Sequence, residues 1–363
     1  MKILHITESL AAGVGRVVEQ ACQGQAAAGH LVVLAHSLRD DTPDEAALSQ
    51  TYQALSHREV VPMVTAVSPW QDFVSVLRLI KLIRDEKPQV IHLHSSKAGV
   101  LGRVAAYLSL HKSRLFYSPH GFAFLRQDVS PRKQALFLSF ERIAARMGGT
   151  LLACSQSEFN LARNRVYHPA VLLLENAADL AEIKPSQGIN SDPILVLNSG
   201  RLCYQKAPWR FKHVAEQCLD LPARFVWLGS GPLETETTIS APDNLAITGW
   251  LSSEDVTQYL RQAGLFVMTS LWEGMPLALI EAQAAGLPAV VPNVPGCQDV
   301  VVDGVTGFIC ETNEILVGRV RQLVNDPDLR QKLGHNAAEI AATRFSLERF
   351  NKDLLALYAG CNT

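Results

Sequence analysis

Two carboxylates stand eight positions apart in Glu273-Gly-Met-Pro-Leu-Ala-Leu-Ile-Glu281, directly after the apolar run Leu265-Phe-Val-Met-Thr269. Pro276 suits a first helical position, and Gly286-Leu-Pro288 closes the helix. The spacing therefore predicts Glu273 in the loop before a helix and Glu281 in its second turn. Backbone N–H groups and the positive helix end favour a bound group with anionic or hydroxyl character. One acid can hold one part of a long ligand while the other holds a second part.

A nucleotide sugar has that shape, with a ribose at one end, a hexose at the other and a diphosphate between. Cations for the diphosphate stand nearby in Ser199-Gly200-Arg201-Leu-Cys-Tyr-Gln-Lys206, just past a strand end. An Arg binds phosphate as a fork and a Lys as a point charge. Alone, these would read as two solvated loop charges; beside the Glu273/Glu281 element they read as ligands.

The first half offers weaker candidates. Ala12-Gly13-Val-Gly15 precedes a helical pattern and lets a phosphate approach backbone N–H groups. A dinucleotide fingerprint fits poorly there, because Val18 stands at the third glycine and about six residues separate the strand from Gly13. His92 and His94 share one face of a strand, but no third ligand is placed by spacing, so core or cleft histidines are the simpler reading than a metal site. His120, in Ser118-Pro-His120-Gly121-Phe122, leaves another strand end. It either contacts a sugar hydroxyl or caps the loop.

Elements to carry these residues alternate along the chain. Strands are expected at 2–6, 31–36, 90–93, 115–118, 151–154 and 171–174, then at 193–198, 224–228, 245–248, 265–268 and 289–291, with helices between. The helix predicted over 69–85 places Trp70, Phe73, Leu77, Ile80 and Ile83 on one face. Residues 131–146 mix basic and apolar side chains, either lying on anionic lipid or forming a buried helix with a basic edge. Residues 180–192 carry Pro185, Gly188 and polar neighbours without an apolar period, and read as a linker.

The expected architecture is thus α/β: two doubly wound domains, residues 1–180 and 193–345, joined by a linker at 181–192, with the ligand in a cleft outside the carboxyl ends of the strands. The chain has 363 residues, 48% of them hydrophobic, enough for two cores. Net charge is −2, with 19 Lys+Arg against 15 Asp+Glu in residues 1–180, so nothing global points to nucleic acid. Seven scattered cysteines without a CxxC pair read as reduced thiols in a cytoplasmic protein. No apolar run is long enough to span a bilayer, so any membrane contact is expected to be peripheral.

The order Gly-Arg201…Lys206, Leu228-Gly-Ser-Gly231-Pro, Thr248-Gly-Trp250, Glu273–Glu281 and Val302-Asp-Gly304-Val-Thr-Gly307-Phe resembles the retaining glycosyltransferases of family four, with the GT-B fold. His-Ser-Ser-Lys-Ala-Gly-Val-Leu-Gly-Arg (94–103) and His-Gly-Phe-Ala-Phe (120–124) look like the bacterial subset that builds O-antigen, capsule and exopolysaccharide.

The resemblance implies that Arg201 and Lys206 neutralise the donor diphosphate and that Glu281 accepts hydrogen bonds from the ribose. Glu273 and the backbone of Gly274, Met275, Pro276 and Leu277 would hold the donor sugar. His120 would sit under that sugar, with Gly13 and Gly15 near the phosphates and Lys97, Gly13 and His120 on the acceptor side. Trp250 and the Gly229–Gly231 turn would lie near the base. It also implies a last helix, 346–363, crossing back to the first domain, and catalysis without a metal or other cofactor.

A UDP-hexose donor and a polyprenyl-diphosphate-linked glycan acceptor are the expected partners, at the inner face of the cytoplasmic membrane. A sugar-nucleotide epimerase or hydrolase, or a silent binding module, would use the same fold. Four positions depart from the family pattern. Ala12 and Ala177 replace glycines, Ala207 replaces Gly or Asn after Lys206, and Asp299 stands where Glu is frequent.

Overall fold

The computed structural model describes residues 1–64, 68–239 and 241–360. Cys361 and the end of the expected last helix lie outside these residues. The chain divides into two compact units, Met1–Asn176 with Glu348–Thr363, and Ala177–Leu347.

In the first unit β1 (Lys2–Thr7), β2 (Leu31–His36), β3 (His57–Val60), β4 (Val90–His94), β5 (Arg114–Ser118), β6 (Thr150–Ala153) and β7 (Val171–Leu173) form a parallel sheet in the order 3-2-1-4-5-6-7. In the second, β8 (Ile194–Ser199), β9 (Ala223–Leu228), β10 (Leu245–Ile247), β11 (Leu265–Val267), β12 (Ala289–Pro292) and β13 (Gly307–Cys310) form another, in the order 10-9-8-11-12-13. Both are doubly wound: the strand order runs outward from β1 or β8 and then reverses, which places crossovers on both faces. The near-continuous apolar runs of β1, β4 and β8 are what two-sided burial demands.

Two strands escape the sequence reading. β3, His-Arg-Glu-Val, is a polar edge strand without alternation, and β13 lies inside a glycine-rich motif that reads as a turn. Two other expectations are corrected. The segment at 181–192 is no free linker: it belongs to the second unit, where Ser186 N–H donates to Ala285 O at 2.8 Å and Gln187 N–H to Arg261 O at 2.7 Å. Side chains such as Pro185 carry no apolar period because the segment is held through its backbone.

The helix Pro69–Glu86 buries Val76, Leu79, Leu82 and Ile83, whereas Trp70 is 74% exposed and Phe73 and Leu77 about half exposed. It carries two apolar stripes, and the sheet takes the one of close-packing Leu and Val. The helix Pro131–Ala145 buries Glu141, Ala144 and Ala145 and packs Phe137 and Leu138 against the core, while Leu136, Phe140 and Ile143 face out.

Candidate active site

In the second unit the strand ends bring the sequence candidates together. Lys206 Nζ lies 2.7 Å from Glu273 Oε1, both side chains largely buried. The two loops that carry them are tied by backbone: Leu271 N–H donates to Gln205 O at 2.8 Å, and the Gln205 amide donates to Trp272 O at 2.8 Å and to Glu273 Oε2 at 3.3 Å. Thr269 Oγ1 donates to Lys206 O at 3.0 Å. Burial works against the Lys206 charge, but the Glu273 carboxylate outweighs it and the pKa is raised. Lys206 is therefore charged throughout the physiological range.

Glu281 lies in the helix Leu277–Ala284 and is buried. Pro276 is the extended residue capping that helix rather than its first turn, and the helix begins at Leu277. Gly296, at φ 84°, presses on the Glu273–Gly274 turn: a Cβ there would meet Glu273 Cβ and Gly274 O at 2.7 Å. Asp299 holds that glycine by accepting from Gly296 N–H at 2.9 Å. Arg201 is exposed at the end of β8, on a loop packed against β9. A Cβ on Gly229 would meet Gly200 O at 2.3 Å, and Trp227 Nε1 donates to the same oxygen at 2.8 Å. Trp250, 65% exposed, follows Gly249, which is bridged to Gly229, so it stands beside the Gly229–Gly231 turn.

In the first unit, Gly13 and Gly15 lie within the opening turn of the helix Ala12–Ala27, not in a loop before it. Space around a Gly13 Cβ is open, whereas one on Gly15 would meet Leu10 O at 2.2 Å. Lys97 is drawn to Asp72, 2.6 Å from its carboxylate. Two of the departures from the family pattern fall on left-handed backbone, Ala12 at φ 51° and Ala207 at φ 49°. Glycine is common at such positions because a Cβ costs energy there.

His120 (φ 55°) turns the chain out of β5, and the turn is held by Glu158, a residue the motif reading did not single out. Its buried carboxylate accepts from Gly121 N–H at 2.7 Å and Cys154 N–H at 2.8 Å. Burial raises its pKa, and those two N–H groups oppose the rise. Sequence held one signal for it, the helix start Ser155-x-x-Glu158, where Ser155 caps Glu158 N–H.

His5, His92 and His94 converge because β1 and β4 pair His5 with His92, and His94 shares the His92 face. Their nitrogens lie within 4.8 Å of one another, close enough to suggest a metal. All six ring nitrogens, however, already have hydrogen-bond partners. His5 Nε2 bonds Gln25 Oε1 at 2.9 Å and His5 Nδ1 bonds His94 Nε2 at 2.9 Å. His94 Nδ1 bonds His120 Nε2 at 3.0 Å. His92 bonds the Tyr358 hydroxyl at 2.5 Å and Ser118 Oγ at 3.0 Å. The cluster is a hydrogen-bonded core, and Tyr358 brings the last helix, Leu347–Ala359, into it.

Two parallel doubly wound sheets, one with a cation–carboxylate pair at its strand ends, are the architecture of the GT-B fold. Residues 179–340 match the family described as Glycosyl transferases group 1, and residues 12–176 match the Glycosyl transferase 4-like domain. The chain is 31% identical over 273 residues, 69% of each chain, to the Escherichia coli UDP-Gal:alpha-D-GlcNAc-diphosphoundecaprenol alpha-1,3-galactosyltransferase. It is 25% identical, over 87% of each chain, to the Staphylococcus aureus capsular polysaccharide biosynthesis glycosyltransferase CapM.

Among solved structures, the sucrose-phosphate synthase from Thermosynechococcus elongatus superposes with a TM-score of 0.81 at 19% identity, over 99% of this chain and 98% of that one. Anabaena HepE, solved with UDP and glucose, has a TM-score of 0.78 at 18% identity, over 99% and 100%. The chain belongs to glycosyltransferase family 4.

Proposed function

We propose that this glycosyltransferase moves a hexose from a UDP-sugar, with retention of configuration and without a metal, to a hydroxyl of a growing lipid-linked bacterial surface glycan. The Lys206–Glu273 ion pair carries the reading: it sets a cation for the donor diphosphate against a carboxylate for the donor sugar. Arg201 adds a second cation as the nucleoside diphosphate leaves. Glu281 takes the ribose hydroxyls, and the base rests against Trp250. Backbone N–H groups from Gly274 to Leu277 stabilise charge on the sugar as its anomeric bond breaks.

UDP is favoured by the E. coli relative, whose name specifies UDP-Gal, and by HepE, solved with UDP. That relative's diphosphoundecaprenol acceptor supports a polyprenyl-linked one here. No helix among the described residues is long and apolar enough to cross a membrane, so the protein would meet such an acceptor from the membrane surface. The exposed Leu136, Phe140 and Ile143 with Arg132, Lys133 and Arg146 on one helix suit an anionic inner leaflet.

A thermal-shift panel with UDP, GDP, ADP and CMP, each with and without Mg²⁺, tests the donor. Selective, metal-independent stabilisation by UDP is expected, since a ligand bound only to the folded state raises the melting temperature. No shift with any of them overturns the site assignment. Turnover of a UDP-sugar without a glycan acceptor would favour a hydrolase or epimerase.

A further inference from the structure

Four side chains of the first unit form one unbranched hydrogen-bonded line, Gln25–His5–His94–His120, with contacts of 2.9, 2.9 and 3.0 Å. The rings of His94 and His120 stack in parallel, 5.3 Å apart with 6° between their planes. His5 and His94 stack at 5.2 Å. The line ends at His120 Nδ1, a buried nitrogen with no partner among the described residues. Burial lowers the pKa of His5 and of His120 to about 4, so both rings are neutral at physiological pH.

A neutral imidazole has one N–H and one bare nitrogen, so in a line of rings each proton dictates the next. If Gln25 presents its carbonyl, His5 donates from Nε2 and is bare at Nδ1. His94 must then donate from Nε2, and His120 must do the same. His120 Nδ1 is left as a bare acceptor. Turning the Gln25 amide over would reverse every donor and leave His120 Nδ1–H instead.

Two observations favour the first arrangement. Neutral imidazole in water itself prefers the Nε2–H form, and all three rings then hold it. The structure also turns the Gln25 oxygen, not its nitrogen, toward His5, with Oε1 2.9 Å from Nε2.

We propose that Gln25, His5 and His94 are positioning residues that set the tautomer of His120 and leave its Nδ1 as a bare hydrogen-bond acceptor, the form that the sugar contact implied for His120 by the family resemblance would need to accept from a hydroxyl. The ligand half of this inference rests on the donor reading above; the relay half does not. The unpaired nitrogen gives the ligand its selectivity. A sugar hydroxyl regains a hydrogen bond there, and an analogue lacking that hydroxyl leaves the nitrogen unsatisfied.

Long-range ¹H–¹⁵N correlation on histidine-labelled enzyme reads which ring nitrogen carries each proton. Nε2–H is expected for His5, His94 and His120 in the free wild type. Gln25→Met, which keeps the length but removes the acceptor, is expected to mix both forms at His120 and to lower kcat/KM about tenfold. An Nδ1–H form at His120 in the wild type, or an unchanged tautomer in the folded variant, overturns the relay. If Gln25→Met does not fold, the wild-type spectrum alone decides it. The His120 Nδ1 resonance is also followed as UDP-glucose and UDP-galactose are added. A shift supports the acceptor role; the expected tautomers with no response to either sugar nucleotide, while UDP itself still binds, overturn the ligand half alone.

Discussion

Lys206 and Glu273, 67 positions apart in the chain, meet at 2.7 Å with both side chains largely removed from water. Removing one partner leaves the other charge buried, which costs about 3–5 kcal/mol, whereas removing both costs far less. Lys206→Met is expected to lower unfolding stability by about 3 kcal/mol, toward the bottom of that range. The double variant Lys206→Met/Glu273→Gln is expected to recover most of the stability and none of the activity. Urea titration with a transfer assay checks this. Single and double variants of equal stability would show that the pair is not coupled.

Acid should act through the buried histidines. The pKa values of His5 and His120 are lowered to about 4 from 6.5 by burial, so the unfolded chain binds more protons than the folded one between those values. Their contribution is therefore full above pH 6.5 and lost as pH falls toward 4, up to about 3 kcal/mol per ring. Denaturant midpoints measured from pH 7 to pH 4 should fall steadily, and His120→Asn should flatten the slope. A wild-type midpoint independent of pH over that range would contradict the burial of neutral rings.

Gly13 has open space where a Cβ would sit. Gly13→Ala is therefore expected to stabilise the fold by about 0.4–1 kcal/mol, through the unfolded chain. If a phosphate approaches this backbone, the same methyl raises the donor KM. A higher melting temperature with an unchanged KM would remove Gly13 from the donor site.

Ala12 is exposed at φ 51°, in the left-handed region. Relief of that strain is worth about 1–2 kcal/mol, less about 0.4–1 for the extra freedom of the unfolded glycine. Ala12→Gly is expected to raise stability by about 0.5 kcal/mol, measured by chemical denaturation. A loss of 1 kcal/mol or more would place Ala12 in a different conformation.

The outward stripe of the Pro131–Ala145 helix is the proposed membrane contact. Sedimentation with phosphatidylglycerol vesicles should carry down the wild type and not Leu136→Ser/Phe140→Ser/Ile143→Ser. Phosphatidylcholine should carry down neither. Equal binding of wild type and variant to the anionic vesicles would assign the contact elsewhere.

Much of the candidate site's local geometry was legible because it depends on short-range spacing. Pro276, Gly286 and the apolar runs state where a strand ends and a helix begins, so the loop position of Glu273 and the second-turn position of Glu281 follow from spacing alone. Strand alternation with helices likewise stated two doubly wound sheets. The exceptions have physical reasons. His57–Val60 is held by its neighbour β2 rather than by its own pattern. The helix Pro69–Glu86 offered two apolar stripes, and only packing chose between them.

What tertiary structure decided is everything that depends on residues far apart in sequence. His5, Gln25, His94 and His120 have no shared motif; parallel pairing of β1 with β4, and a helix laid across that sheet, put each side chain within 3.0 Å of the next. Glu158 reads as an ordinary helix start until its carboxylate is seen to hold the His120 turn. By itself the sequence determined which groups are candidates for the chemistry, because residue type and short-range spacing are written in it. Which ring nitrogen is left without a partner was decided by the fold, because burial and long-range hydrogen bonds exist only once the sheet has formed.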